Sequence, residues 1–120
     1  MLDVGRMRRT LRNDPGWPAV VFTPVEIADC EAVADAPRQY AARFTAKEAL
    51  FKGLGVRPPD LGAYREIEVR VTPRGATVAL GGRTAAAAAG LGTIRPHLSL
   101  AHTSDHAIAT VIVERLDRDA

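Results

Sequence analysis

The chain has 120 residues, 47% apolar and 25% charged, with a formal net charge of +2. That length fits one domain spanning residues 1–120, with a core small enough that association between copies would help to stabilise it. The charge is too small to argue for a nucleic-acid partner, and no apolar run approaches the ~18 residues of a membrane span. Met1-Leu2-Asp3 has neither the basic region nor the apolar core of a secretory signal. Cys30 is the only cysteine. It excludes an intrachain disulfide, fits a reducing cytosol and reads as a small packing residue.

Leu2 to Asn13 is predicted to be a helix, with Val4, Met7 and Leu11 along one face. Arg6, Arg8, Arg9 and Arg12 crowd the same segment. Such a patch attracts an acidic surface or a phosphate backbone, and a solvated helix face explains it equally well. Pro15-Gly16 ends the helix. Trp17 to Phe22 is a short apolar run, either a strand or a loop packed on the core. Thr23-Pro24-Val25-Glu26 starts a second helix, with a threonine cap, proline at the first position and glutamate at the third; it runs to about Val33. Asp35-Ala36-Pro37 opens the longest helix, which Gly53 and Gly55 stop.

Downstream, Gly55 to Tyr64 reads as a loop. Glu66 to Thr72 alternates, with Ile67, Val69 and Val71 on one face, the pattern of a half-buried strand. Pro73-Arg74-Gly75 turns the chain, and Ala76 to Leu80 returns beside it. After Gly81-Gly82, Thr84 is expected to cap an alanine-rich helix, Ala85 to Ala89, ended by Gly90 and Gly92. Ile94 to Ala101 and Ala107 to Arg115 are strands around the polar turn Thr103-Ser104-Asp105. Helices followed by strands argue for an α+β fold.

The long helix carries the most informative stretch. At about 100° per residue, Tyr40, Phe44, Phe51 and Leu54 share one arc. Lys47 projects into the middle of that arc, and Glu48 and Lys52 lie along its edge. A lysine there breaks the local pattern, as functional or strained positions do. The ordinary alternative is a lysine that lays its methylenes on apolar surface and keeps its ammonium in water. Glu48 and Lys52 are also spaced for an i, i+4 ion pair worth about 0.2–0.5 kcal/mol.

The wording of this stretch, R-F-T-A-K-E-A-L-F-K-G-L-G from Arg43 to Gly55, closely resembles the R-F-x-x-K-E-A-x-x-K-A-x-G signature of holo-acyl-carrier-protein synthases. These are the small members of the 4′-phosphopantetheinyl transferase superfamily. A second segment agrees. Pro96 to Thr103, followed by Ala107 to Glu114, is similar to the family's closing H-V-S-L-(S/A)-H … A-x-A-x-V-I-x-E.

The resemblance implies a 4′-phosphopantetheinyl transferase-like α+β fold, an antiparallel sheet with packed helices. It implies transfer of 4′-phosphopantetheine from coenzyme A to a serine of an apo acyl carrier protein, in the cytosol, by a homotrimer whose sites are shared between neighbours. Displacement at a pyrophosphate needs a divalent cation and cationic side chains to spread and orient its charge. Glu48 matches the family's helix glutamate that binds magnesium. Lys52 matches the lysine one turn on, near the pyrophosphate, with a part in leaving-group or proton transfer left open. Arg43 matches an arginine at the coenzyme's 3′-phosphate, where a planar guanidinium suits its partner. His97 matches the closing motif's histidine, which also serves coenzyme A, and Thr103 ends that motif. Arg6 matches an arginine that docks the acidic carrier protein. Each has an ordinary counterpart: Arg43 as a solvated helix flank, His97 as a satisfied strand histidine.

One departure stands out. Family members open with a strand and a G-x-D-(I/L)-x-x-x-x-R pattern whose aspartate is the other magnesium carboxylate. With Arg6 as the arginine, that aspartate falls just before Met1, and Asp3 aligns with a variable position. The first strand and one metal ligand are therefore expected to be missing. Either the natural start lies upstream, or this is a shortened protein whose catalysis is impaired and which binds the carrier protein without modifying it. A small basic nucleic-acid-binding domain is a third and weaker reading, resting on the arginine-rich first helix.

Overall fold

The computed structural model describes residues 1–116. Helix α4, Ala36–Leu54, is its spine. Pro37 occupies its first turn, where the missing N–H is harmless. Its far end is closed by a Schellman turn. Gly55 takes φ 68°, its N–H donates to the Lys52 carbonyl, and the Val56 N–H donates to Phe51. A β-carbon would be strained at that φ.

Around α4 lie helices α1 (Val4–Asn13), α2 (Trp17–Val21) and α3 (Pro24–Glu31). A five-stranded antiparallel sheet lies against its C-terminal half. The strands are β1 (Leu2–Asp3), β2 (Ile67–Thr72), β3 (Gly75–Leu80), β4 (Ile94–His102) and β5 (His106–Arg115), in the order β1-β5-β4-β3-β2. β2 and β3 pair along their whole length, as do β4 and β5, whereas β3 and β4 share one paired position, Ala76 with Leu98. Helix α5 (Gly82–Ala89) connects β3 to β4. Among the described residues, no helix is long and apolar enough to cross a membrane.

The core has two lobes. Val4, Met7, Val21, Phe22, Cys30, Tyr40, Ala41 and Ala42 cluster where α1–α3 meet the first half of α4. Ala46, Leu50, Phe51, Leu54, Ile67 and Val69 cluster where its second half meets the sheet. Each fully buried Leu, Phe or Val stabilises the fold by about 1.5–3 kcal/mol. Gly53 permits close approach of helix and sheet, because a β-carbon there would come within 3.1 Å of a Val113 methyl. Cys30 is fully buried, and burial pushes its thiol up to about 12.

Several expectations are corrected. The first strand is present as the two residues of β1, joined to β5 by Leu2 opposite Ala107 and Asp3 opposite His106. Trp17–Val21 is a helix with proline in its first turn, neither strand nor loop. The segment assigned to a loop ends in a 3₁₀ helix, Leu61–Glu66, capped by the Asp60 side chain on the Ala63 N–H. Thr84 lies inside α5 instead of capping it, and its N–H and hydroxyl both donate to Glu66.

Lys47 does not reach water: it is fully buried. Its ammonium donates to Glu26 at 2.6 Å, to the Val21 carbonyl at 2.8 Å and to the Tyr64 carbonyl at 2.9 Å. Three donors meet three acceptors. Glu26 is fixed in turn by the α3 capping box and by the Val69 N–H. Burial lowers the Lys47 pKa from its ordinary value, and the Glu26 charge opposes that shift.

Candidate active site

Glu48 and Lys52 sit one turn apart on the same side of α4, an i, i+4 pair. No ion pair joins them: among the described residues neither side chain has a hydrogen bond or salt bridge. Both are therefore free to meet a ligand. Glu48 borders three cavities. One, of about 260 Å³, is walled by Leu2, Arg6, Met7, Thr10, Trp17 and Phe44. A second, of about 410 Å³, is shared with Lys52 and lined by Phe51, Val56, Arg57, Pro58 and Tyr64. The third, of about 330 Å³, is also shared with Lys52 and lies beside Met1, Thr45 and Ala109.

The fold explains this placement. Tyr40, Lys47, Phe51 and Leu54 are turned into the core, which leaves Glu48 and Lys52 on the flank. Tyr64 forms the neighbouring wall. Its ring stacks on Phe44 at 5.1 Å and 12°, and meets Phe51 edge-on at 5.1 Å. Burial, and then the Glu48 charge, raise the Tyr64 phenol above its ordinary pKa. The buried Lys47 holds the Tyr64 carbonyl, so the α4 lysine that the sequence singled out anchors the wall of the cavity beside its neighbour Glu48.

The other sequence-derived residues are distributed differently. Arg6 is exposed on α1 and opens into the first cavity, so the fold brings it together with Glu48. Arg43 is only 4% exposed, which corrects the solvated-flank reading. Its Nη1 donates to the Gln39 backbone and side chain, its Nε has no partner among the described residues, and it lines none of the three cavities. His97 lies on the other face of the sheet. Leu98 and Leu100 point into the core beside α4, whereas His97 is exposed and its Nε2 is 3.3 Å from Glu114 Oε1. Beside it are Ser99, Thr110 and Ile112. Thr103 shapes the β4–β5 turn: its hydroxyl oxygen accepts from the Asp105 and His106 N–H groups. Asp3 caps α1, accepting from the Gly5 N–H at 2.8 Å.

Arg57 and Tyr64 were not found from sequence, because nothing in a proline-rich loop shows which way it folds back. Glu26 was visible as a capping residue. Its bond to Lys47, 21 positions away, had no sequence signal.

A half-exposed carboxylate with an ammonium one turn on, neither paired among the described residues and both opening into cavities, is suited to an anionic ligand and its counter-cation. The comparisons agree with that reading. Residues 2–111 match the family model of the 4′-phosphopantetheinyl transferase superfamily, and the chain belongs to that family. It is 41% identical over 95 residues to a holo-[acyl-carrier-protein] synthase of Koribacter versatilis, covering 78% of this chain and 76% of that one. It is 39% identical over 118 residues to the enzyme of the same name from Anaeromyxobacter sp. strain K, covering 95% and 91%. A solved Chronobacterium ammoniagenes ACPS–CoA complex superposes with a TM-score of 0.84 at 25% identity, covering 97% of this chain and 93% of that one.

Proposed function

We propose that this chain is a single-domain holo-acyl-carrier-protein synthase, transferring 4′-phosphopantetheine from coenzyme A to a serine of an apo acyl carrier protein. The serine oxygen forms a bond to the β-phosphorus of the pyrophosphate, the bond from that phosphorus to the bridging oxygen breaks, and 3′,5′-ADP leaves with the electron pair. The hydroxyl proton passes to solvent or to a base at the site. The observation that carries this reading is the free Glu48–Lys52 pair, opening into two shared cavities, in a chain of this family.

Glu48 is the residue to hold magnesium. Such an ion is ordinarily bound by one or two carboxylates, with phosphate oxygens and water completing its shell, and an unpaired carboxylate beside open space fits that donor set. Magnesium, when bound, supplies charge neutralisation at the phosphates. Lys52 orients and stabilises the pyrophosphate oxygens. Arg6, beside the first cavity, meets acidic side chains of the carrier protein. The family resemblance is what assigns Arg43, His97 and Thr103 to coenzyme A; in the single chain Arg43 is 4% exposed and lines none of the three cavities. A cytosolic setting agrees with the lone free thiol of Cys30.

His97 and Glu48 lie on opposite faces of one sheet, so a site using both needs a second copy. A homotrimer with shared sites meets that need, and the exposed Ile108 and Ile112 give its contact an apolar surface. The second reading is a carrier-protein-binding domain with impaired catalysis. It is favoured by Glu48 being, among the described residues, the only carboxylate lining the three cavities, with Asp3 engaged as a helix cap.

The test is mass spectrometry of an apo carrier protein incubated with coenzyme A, magnesium and this chain. A gain of one phosphopantetheine, lost with EDTA or with Glu48→Ala, supports the transferase. Binding of the carrier protein without that gain supports the second reading.

A further inference from the structure

The cavity of about 410 Å³ beside Glu48 and Lys52 contains a third charged group, Arg57. Its size lies within the range of small-molecule sites, roughly 300–1,000 Å³. The walls are mixed. Phe51, Val56, Pro58 and Tyr64 supply an apolar and aromatic surface, while Lys52 and Arg57 supply two cations. Like Lys52, Arg57 has no hydrogen bond or salt bridge among the described residues. Arg8, Arg38, Arg70, Arg83 and Arg95 all have acidic partners. Arg57 is a guanidinium left unpaired at the edge of a cavity.

Its loop is fixed at both ends. The Schellman turn at Gly55 sets where the chain leaves α4, and Val56 packs on the sheet-side core. Pro58 and Pro59 follow, which restrict Arg57 to extended backbone and stiffen the segment. At the far end Asp60 is gripped by both Nη groups of Arg83, at 2.9 and 3.0 Å. The backbone that carries the cation is placed before any ligand arrives, which lowers the ordering cost of binding.

We infer that Arg57 is a phosphate-binding residue that works with Lys52, the two forming a cationic clamp on the phosphates of the ligand in this cavity. The inference rests on the proposed transferase reading and adds to it a residue for holding the nucleotide end. Two flexible or forked cations around a diphosphate or a phosphate monoester share its charge, and arginine adds directional N–H donors. The coenzyme carries both kinds of phosphate, and they are distinguished by a ligand that lacks the 3′-phosphate.

The experiment is calorimetric titration of coenzyme A and of dephospho-coenzyme A, with magnesium present, into the wild-type protein and the variants Arg57→Gln, Arg57→Lys and Arg65→Gln. Arg65 is exposed and lines none of the three cavities, so it controls for net charge. Arg57→Gln is expected to weaken coenzyme A binding about tenfold, Arg57→Lys by less, and Arg65→Gln not measurably. The same loss with dephospho-coenzyme A supports the inference and assigns Arg57 to the diphosphate; a loss confined to coenzyme A supports it and assigns the 3′-phosphate. Equal affinity of Arg57→Gln and wild type for both ligands overturns the inference while leaving the transferase reading intact. So does an equal loss in Arg65→Gln. A wild-type protein that binds neither ligand overturns the transferase reading, and this inference with it.

Discussion

The Nζ of Lys47 lies 2.6 Å from Oε1 of Glu26, and solvent reaches neither side chain. This pair joins four parts of the chain: the end of α2, the capping box of α3, the 3₁₀ turn that carries Tyr64, and β2 through Val69. Removing one partner strands the other charge in the core. Lys47→Met or Glu26→Gln is expected to cost about 3–5 kcal/mol of unfolding free energy. The double variant should lose less than the sum of the two, because no lone charge remains. Urea denaturation of the four proteins checks this, and strict additivity would refute the coupling.

Glu48 and Lys52 should behave in the opposite way. Neither has a hydrogen bond or salt bridge among the described residues, so Glu48→Ala and Lys52→Ala are expected to change stability by no more than about 0.5 kcal/mol. Transfer to the carrier protein should fall by about 10²–10³-fold, as when a charge-stabilising group is lost from an active site. Parallel melting curves and transfer rates measure the two effects separately. A large loss of stability would show that these residues belong to the fold.

Shared sites in a homotrimer predict complementation. His97→Ala and Glu48→Ala homo-oligomers should each be inactive or nearly so. Unfolded together in equal amounts and refolded, they should regain about a quarter of wild-type activity, since one site in four then combines two intact halves. Ile112→Glu, at a side chain 62% exposed in the single chain, should shift the oligomer to monomer in sedimentation. Absence of complementation in a mixed oligomer would place His97 outside the site.

Acid should expose the role of Arg83. Its hydrogen bonds hold the Asp60 and Glu66 carboxyls below their ordinary pKa values. A carboxyl lowered in the folded state contributes stability that is complete above its unfolded pKa and is lost as pH falls through the folded one. Arg83→Gln should therefore melt below wild type at pH 7, with the gap closing below the ordinary carboxylate range. A gap that stays constant with pH would indicate lost packing instead.

Cys30 offers a simple measurement. Burial pushes its thiol up to about 12, so the folded protein at pH 8 should react with a thiol reagent far more slowly than the unfolded chain. Rapid labelling of the native protein would contradict the packing role.

Local patterns accounted for much of this in advance. The Thr23–Glu26 capping box, the Gly55 stop and the burial of Ile67 and Val69 each depend on a few neighbouring residues, and each appears in the fold, whereas Val71, expected on the same face, is 46% exposed. Trp17–Val21 was misread because a five-residue apolar run has no measurable period, and burial in a small lobe suits helix or strand alike. The position of Lys47 in the apolar arc was visible, but its destination depends on Glu26 and on two carbonyls from distant segments. Glu48 and Lys52 were legible through the signature they share with the family. The cavities beside them, and the presence of Arg57, depend on how a loop closes over the end of a helix.

The sheet's single paired position between β3 and β4 bears on how the molecule assembles. Each hairpin closes over a short turn, a sequence-local event that costs little loop entropy. The long-range step is the meeting of two finished ribbons, and very little hydrogen bonding rewards it. What draws them together is α4, whose side chains are shared by Ile67 and Val69 on one ribbon and by Leu98, Leu100 and Val111 on the other. The helix acts as the mould on which two independent hairpins become one sheet, and the residues proposed for chemistry are mounted on that same mould.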